Sequence, residues 1–386
     1  MKPLFTLIFL LIFQQISFSQ ADETDYRKIR FSENNNLVSS GVDISPDGQF
    51  VVLSGTGDFP LIFFDWKSEQ SLQTANTDSW TAGSAVHYTP EGKYIILEKL
   101  YYNPGIANYD RPSVYNLLDG ESGEILKKFE GYNIVKVSSA QSMILTMEGN
   151  EITLWDLKDF KLLKTLTLEE EGFAATFSPD GKTLLIAHSP NAEELKQSGS
   201  FGKDKKSLKA TSRYKNQISL YNLETLKKEG SINHFFDLVY DMSFSPDHNE
   251  LFVLQISHPD INSAAKGEKQ WNIKVVNAKN WEPTRKGFTS KSAHLPDYAI
   301  SPDKKYFGII SAGSVNTYTS FPELHIYDYE TGRFYERFTL SQRMFEKDQG
   351  EFLRTDGRAA FVFLPGNEII LITMGNRLIY WNFHQK

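Results

Sequence analysis

The chain has 386 residues, 40% of them apolar and 23% charged, a balance that is typical of a folded globular protein and excludes wholesale disorder. Its formal net charge of -7 disfavours a nucleic-acid partner, because phosphate binding needs clustered positive charge. The sequence contains no cysteine, which excludes disulfides, thiolate metal sites and lipid attachment through cysteine.

The N-terminal segment differs in composition from the rest of the chain. Lys2 precedes an apolar run at 4–13 (LFTLIFLLIF), and the small residues of the SFS segment that ends at Ser19 suit signal-peptidase cleavage. A membrane anchor is the alternative, but the run is short for a bilayer and no basic cluster follows it. We therefore expect a signal peptide at 1–19, a single domain at 20–386, no membrane span, and an exported protein, either periplasmic or secreted.

A short turn motif recurs along the remaining chain between two apolar runs. Within it, proline presets φ, aspartate bonds to the local backbone and glycine accepts a positive φ. In chain order the copies are 42–48 (VDISPDG), 86–92 (VHYTPEG), 137–140 (VSSA, a degraded copy), 177–182 (FSPDGK), 244–247 (FSPD), 300–303 (ISPD) and 363–366 (FLPG). Because the flanking runs are rich in Val, Ile, Leu and Phe, each copy predicts a β-hairpin.

A second motif follows each copy and consists of a bulky residue, then Asp or Asn. The pairs are Phe64-Asp65, Leu118-Asp119, Trp155-Asp156, Tyr221-Asn222, Val276-Asn277, Tyr327-Asp328 and Trp381-Asn382. We expect the bulky side chain to pack between neighbouring sheets and the Asp or Asn to close a second hairpin. Each unit is therefore predicted to be four antiparallel strands, A to D, with no helical segment of useful length. Such units at this period predict the blades of a propeller.

On 154–157 (LWDL) and 177–182 (FSPDGK), the sequence resembles the WD40 and YVTN-type repeat proteins. The resemblance covers nearly all of the chain after the signal peptide, although the Gly-His dipeptide of strict WD40 repeats is missing and Trp-Asp occurs once. It implies an all-β fold, namely a seven-bladed β-propeller of four-stranded antiparallel blades. We expect a monomer.

The last unit lacks a fourth strand, since the chain ends soon after its third strand at 377–383. The segment 26–32 (YRKIRFS) alternates in polarity and belongs to no other blade. We therefore predict that 26–32 pairs with 377–383 as the outer strand of the last blade, which closes the ring and leaves no unpaired edge there.

The long insertions are predicted to lie at one end of the ring. In an antiparallel blade, the B–C loops and D–A connections share one end, and the A–B and C–D turns share the other. The long stretches are B–C loops at 98–112, 188–216, 257–269 and 311–322, and D–A connections at 281–296 and 341–358. Because long loops are more often functional than short ones, we expect the binding face at this end.

These insertions contain residue types that often dominate interfaces. The candidate contact residues are Tyr101, Tyr102, Tyr109, Arg111, His188, His258, Trp281, His294, Arg343, Phe345 and Arg354. For any single residue the alternative role is to cover the end of a blade. The insertion at 188–216 is also rich in lysine, and it fits either a basic arm for an anionic partner or a flexible solvated segment, of which we favour the second.

No catalytic motif is recognisable. The Gly-x-Ser-x-Gly motif is absent, and the histidines show no metal-ligand spacing, so we assign no catalytic, metal or cofactor-binding residue and expect no cofactor. The sequence therefore favours an extracytoplasmic binding or scaffold module for a protein or glycan. Two alternatives stay open: a lactonase-type enzyme, because some YVTN-like propellers are sugar lactonases, and a subunit of an envelope assembly, by fold analogy.

Overall fold

The structure is a computed structural model with every strand in one of seven sheets. It describes residues 26–34, 36–80, 83–99, 114–138, 140–197, 204–256, 269–292, 296–311, 322–340 and 359–383. Each sheet has four antiparallel strands, and in six of them the strands are consecutive in the chain. Among the described residues, no helix is both long enough and apolar enough to cross a membrane.

The first three sheets, numbered as blades 1 to 3, cover the first part of the ring. Blade 1 is β2 (Val38–Ile44), β3 (Val51–Thr56), β4 (Leu61–Asp65) and β5 (Gln70–Ala75). Blade 2 is β6 (Ser84–Tyr88), β7 (Tyr94–Lys99), β8 (Val114–Asp119) and β9 (Ile125–Glu130). Blade 3 is β10 (Ile134–Ser138), β11 (Met143–Glu148), β12 (Glu151–Asp156) and β13 (Leu162–Thr167).

Blades 4 to 6 repeat the arrangement, with longer outer strands in blades 4 and 5. Blade 4 is β14 (Gly172–Phe177), β15 (Thr183–His188), β16 (Asn216–Asn222) and β17 (Lys228–Phe236). Blade 5 is β18 (Leu238–Phe244), β19 (Glu250–Ile256), β20 (Lys269–Asn277) and β21 (Pro283–Ser292). Blade 6 is β22 (Tyr298–Ile300), β23 (Tyr306–Ser311), β24 (Glu323–Asp328) and β25 (Phe334–Thr339).

Blade 7 joins the two ends of the chain. Its strands are β26 (Ala360–Phe363), β27 (Ile369–Met374), β28 (Arg377–Asn382) and, as the outer strand, β1 (Tyr26–Arg30). β1 pairs antiparallel with β28, from Tyr26 opposite Trp381 to Arg30 opposite Arg377. Across this pair, the Arg27 guanidinium lies 3.9 Å from the centre of the Tyr380 ring. The predicted pairing of the 26–32 segment with the last strand is therefore confirmed.

The hydrophobic core lies between the blades. The described residues form seven clusters of buried apolar side chains, and each cluster joins two neighbouring blades. The cluster between blades 6 and 7 contains Phe338 and Trp381, whose ring centres are 4.8 Å apart. The cluster between blades 7 and 1 contains Val51 and Tyr380. Because the blade 7–blade 1 interface has a cluster like the other six, the ring is closed, and the predicted seven-bladed architecture is confirmed.

The recurring turn motif forms the A–B turn of the blades. In four copies the serine hydroxyl donates a hydrogen bond to the aspartate two residues later, at 2.6 Å from Ser178 to Asp180 and 2.7 Å from Ser301 to Asp303. This bond is the main factor that holds the pKa of Asp180 below its usual value. The glycine of the motif has positive φ, for example 66° at Gly181, as the sequence predicts.

The second motif closes the C–D turns as predicted. The carboxylate of Asp119 accepts hydrogen bonds from the backbone N–H groups of Glu121 and Ser122, at 3.1 and 2.8 Å. Asn222 accepts the equivalent bonds from the two residues at 224 and 225.

The A–B and C–D turns lie at one end of the ring, which we call the turn rim. The end with the B–C loops and D–A connections is the loop rim.

Two predictions about the insertions are wrong. The 188–216 insertion was expected to contain no helix, yet it holds α1 (Ala192–Gln197) and α2 (Lys205–Tyr214). The Asp204 carboxylate accepts hydrogen bonds from the backbone N–H groups of Lys206 and Ser207 and so caps α2. The stretch 281–296 was expected to be a D–A connection, but most of it is β21, the outer strand of blade 5. Pro283 is tolerated there because it is the first residue of an edge strand.

Candidate binding site in the central channel

Long insertions connect strands at the loop rim, and the strands on both sides of each insertion are described. The segments 100–113, 189–215, 257–268 and 312–321 connect strands B and C, and 341–358 connects blade 6 to blade 7. All five therefore leave and re-enter the ring at the loop rim, in agreement with the sequence. Nine of the eleven candidate contact residues lie outside the described residues. Eight belong to these insertions, and His294 lies between β21 and β22: Tyr101, Tyr102, Tyr109, Arg111, His258, His294, Arg343, Phe345 and Arg354.

His188 lies at the end of β15, on the loop rim, but it is buried. Its Nε2 is 2.7 Å from the Ser219 hydroxyl and its Nδ1 is 2.7 Å from the Ser189 carbonyl oxygen. Burial lowers the pKa of the ring, which favours the neutral form. His188 therefore has a structural role in joining strands B and C of blade 4.

Trp281 lies at the opposite end of the ring from its predicted position. It occupies the C–D turn of blade 5 with a φ of 59°, and its backbone N–H donates to the Asn277 carbonyl oxygen at 2.9 Å. Its side chain packs against the cluster between blades 4 and 5. Trp281 is thus part of the turn rim, and the expectation that it contributes to the long-loop face is wrong.

A cavity of about 330 Å³ occupies the central channel in the half nearest the loop rim. The innermost strands of six blades line it with the part of each strand that is nearest the loop rim. The loop-rim ends of β7, β8 and β19 complete the lining. The apolar lining consists mainly of Val42, Val86, Ile134, Val135, Tyr240 and Leu254. A volume of this size suits a small ligand or a single side chain of a partner.

An ion pair crosses the channel. The Lys136 ammonium of blade 3 lies 2.8 Å from an Asp241 carboxylate oxygen of blade 5. Burial opposes the charge on Lys136, but Asp241 and the nearby Glu98 of blade 2 outweigh that penalty and raise the pKa of the lysine. The lysine is therefore charged, and it balances only part of the negative charge around it.

Two further carboxyl groups link neighbouring blades at the channel wall. Asp297 of blade 6 accepts a hydrogen bond from the backbone N–H of Phe361 in blade 7, at 3.0 Å. Asp43 of blade 1 accepts one from the N–H of Tyr88 in blade 2, at 2.7 Å. Burial raises the pKa of Asp43 and raises that of Asp297 to about 6. These carboxyls satisfy backbone donors that the inner edge of the ring leaves unpaired.

Tyr298 lies between the acidic groups. Its hydroxyl is 2.8 Å from the Ser243 hydroxyl, and burial together with the charges of Asp241, Asp297 and Glu98 raises its pKa. Carboxylates from blades 2, 5 and 6 therefore act on the same point of the channel. Among the described residues, no group of three or more His, Asp or Glu side chains is close enough to hold a metal ion. The arrangement is suited to charge-complementary binding, and Asp297 is suited to gain or lose a proton near neutral pH.

A pattern in the innermost strands indicates these channel residues, although the turn motifs do not. The innermost strands hold a single ionisable residue between apolar ones at 42–44 (VDI), 86–88 (VHY), 135–137 (VKV) and 240–242 (YDM). A charged residue in the most buried strand of a sheet needs a partner or a ligand. Glu98 and Asp297 lie at strand ends and carry no comparable signal.

Comparison with known proteins adds information about the fold. No protein-family model matches the chain, and no curated protein is similar enough to count as a relative. Among solved structures, the β-propeller domain of Cps50 (Swd1) from Myceliophteria thermophila is similar, with a TM-score of 0.55. The likeness covers 92% of this chain and 99% of that one, at 11% sequence identity. The chain is a seven-bladed β-propeller. At this identity the likeness extends to the fold and no further, so the function rests on the site.

Proposed function

We propose that this propeller is an extracytoplasmic binding or scaffold module that recognises a protein or glycan through its loop rim. The proposal rests on one observation, which is that five long insertions leave the ring at the same end. The turn rim has short turns of nearly uniform length, which suit structural closure better than recognition. The candidate signal peptide supports an extracytoplasmic location.

The helical part of the loop rim adds an ordered surface to the proposal. On a helix of 3.6 residues per turn, Lys205, Lys209 and Arg213 share one face of α2, and Lys206 borders it. The lysines of this face are exposed, whereas Leu208, next to Lys205 on the helix surface, is half-buried. An ordered basic face at the loop rim suits an anionic group on the partner.

The test compares partner binding by the full mature protein with partner binding by loop-rim variants and by a turn-rim control variant. One variant replaces 100–113 with a short Gly-Ser linker, and a second changes Lys205, Lys209 and Arg213 to Ser. The matched control changes Lys158 and Lys279, exposed lysines of C–D turns at the turn rim, to Ser. A glycan array and a pull-down from the extracytoplasmic fraction should show partners that the control retains and the loop-rim variants lose. Partners retained by all three variants contradict the proposal.

The lactonase-type enzyme is the second candidate, favoured by the Asp297 carboxyl with its pKa of about 6 in the channel. Enzymes commonly hold a carboxyl at such a pKa when it serves as a general acid or base. A metal analysis of the purified protein, together with a lactonase assay, separates the two candidates. Stoichiometric metal with turnover that Asp297→Asn abolishes supports the enzyme, whereas partner binding without turnover supports the binding module.

A further inference from the structure

The channel cavity combines an apolar wall with an excess of negative charge. Its described lining includes the carboxylates of Glu98, Asp241 and Asp297, one histidine, His87, and only one lysine or arginine, Lys136. Since Lys136 is bonded to Asp241, the cavity keeps a net negative charge. In a site walled by protein, such charge acts more strongly on a ligand than it would in water.

Glu98 is the carboxylate best placed to receive a ligand. It lies one residue before the loop-rim end of β7 and is half-buried, and its carboxylate accepts no hydrogen bond from any described residue. Its charge is felt by Lys136 and by Tyr298, which belong to blades 3 and 6. Glu98 therefore faces the interior of the channel, with its hydrogen-bonding capacity unused within the described part of the chain.

The charge pattern selects for an organic cation over a metal ion. A metal ion needs several converging ligands, and the described His, Asp and Glu side chains form no group of three that meets this need. An ammonium group needs two or three acceptors and gains from an apolar surface beside its carbon skeleton. Val42, Ile134 and Tyr240 are the residues of this wall that keep some accessible surface, and they supply such a surface.

We propose that the channel cavity binds an organic amine, with Glu98 as the acceptor of its ammonium group, Asp297 as a second negative charge and the apolar wall against its hydrocarbon part. Either a small free amine or a lysine side chain of a partner can supply the ammonium, because the two present the same chemistry. The proposal adds a cation site to the loop rim and does not depend on which partner the rim recognises.

The experiment titrates the full mature protein with phenethylamine and with 2-phenylethanol, which has the same shape without the charge. Isothermal titration calorimetry at low salt is expected to show one site for the amine and none for the alcohol. Glu98→Gln should weaken the amine about tenfold or more, the usual effect of losing a charged hydrogen-bond partner. Glu148→Gln is the matched control, since Glu148 is likewise near the loop-rim end of a strand B but is exposed and lies outside the cavity.

Two more variants separate charge from disruption. Lys136→Met removes the positive charge and should tighten amine binding severalfold, opposite in sign to Glu98→Gln. Ala85→Leu fills part of the cavity and should abolish binding of the amine while circular dichroism shows a folded protein. Loss of folding would weaken binding in both Lys136→Met and Glu98→Gln. Tighter binding in the first and weaker binding in the second therefore reports charge even if either variant is destabilised.

N-acetyl-lysine amide, compared with N-acetyl-norleucine amide, distinguishes the two sources of the ammonium group. Binding of phenethylamine alone assigns the site to free amines, and binding of the lysine derivative assigns it to a partner's side chain. The proposal is overturned if neither amine binds, if 2-phenylethanol binds as well as phenethylamine, or if Glu98→Gln and Ala85→Leu leave the affinity unchanged. Loss of partner binding in the loop-rim variants would be a separate result, since those variants leave the cavity residues intact.

Discussion

At the scale of single residues, the A–B turns show where the repeat departs from its own pattern. Gly48, Gly92 and Gly181 occupy the position with positive φ in three copies. His248 and Lys304 occupy it in two others, with φ of 62° and 58°. The left-handed conformation costs a residue with a Cβ atom roughly 1–2 kcal/mol. These two turns are therefore held in place by their surroundings against local strain.

We expect His248→Gly to raise the free energy of unfolding by about 0.5–1 kcal/mol, because relief of strain outweighs the greater freedom of glycine in the unfolded chain. Urea denaturation monitored by fluorescence measures the change. Lys304→Gly is the comparison, and its gain should be smaller because Lys304 also forms a 2.7 Å ion pair with Asp247. A loss of stability in His248→Gly contradicts this account.

A second residue-scale consequence concerns Asp297, whose folded pKa of about 6 lies above the value near 3.9 of an unfolded aspartate. The folded state therefore holds the proton more tightly, and the contribution to stability is full below about pH 4 and is lost as the pH rises through about 6. Asp297→Asn keeps an acceptor for the Phe361 N–H without the charge. Relative to the wild type, it should gain up to about 3 kcal/mol between pH 4 and 7 in urea denaturation.

The control for this measurement has the opposite sign. Hydrogen bonds from the Ser178 hydroxyl and the Lys182 N–H lower the pKa of Asp180, so that carboxylate stabilises the fold above the unfolded pKa. Asp180→Asn should therefore lose stability relative to the wild type as the pH rises through about 4. A flat difference between wild type and Asp297→Asn across this range would show that the carboxyl titrates normally in the folded state.

At the scale of elements, β1 closes the ring with few residues. Ile29 packs against the cluster between blades 7 and 1, and Phe31, just beyond the strand, is buried in the same cluster. Burial of two such side chains is worth about 1.5–3 kcal/mol each. β1 also covers the edge of β28, which would otherwise be available to another chain.

We expect a variant that begins at Ser32 to lose about 4 kcal/mol or more of unfolding free energy relative to one that begins at Tyr26. It should also associate, because the edge of β28 becomes exposed. Denaturant unfolding measures the first effect and size-exclusion chromatography with light scattering measures the second. Equal stability and a monomeric state in both variants would show that β1 contributes little to closure.

At the scale of the whole molecule, the sequence predicts what local chemistry determines. The turns at 45–48 and the Asp119 cap follow from residue types within four positions, and the pairing of 26–32 follows from alternation and from a missing strand. The innermost strands show single ionisable residues in the sequence, but their meeting in one channel cannot be predicted from it, because that proximity exists only once seven blades close. The sequence does not predict the α2 helix, because the basic, Gly- and Ser-rich composition of the insertion indicates a flexible segment despite the capping residue Asp204. β21 was missed because Pro283 resembles a loop residue.

The union of β1 with β28 has a consequence for how the ring is assembled. The partners come from opposite ends of the polypeptide, so this pairing is among the least local contacts in the fold and should form late. Until it forms, the growing molecule is an open arc with a bare apolar flank at each end, one on blade 1 and one on the most recent blade. Nascent arcs of this kind are natural clients for chaperones, and they can add a blade from a neighbouring molecule in place of their own.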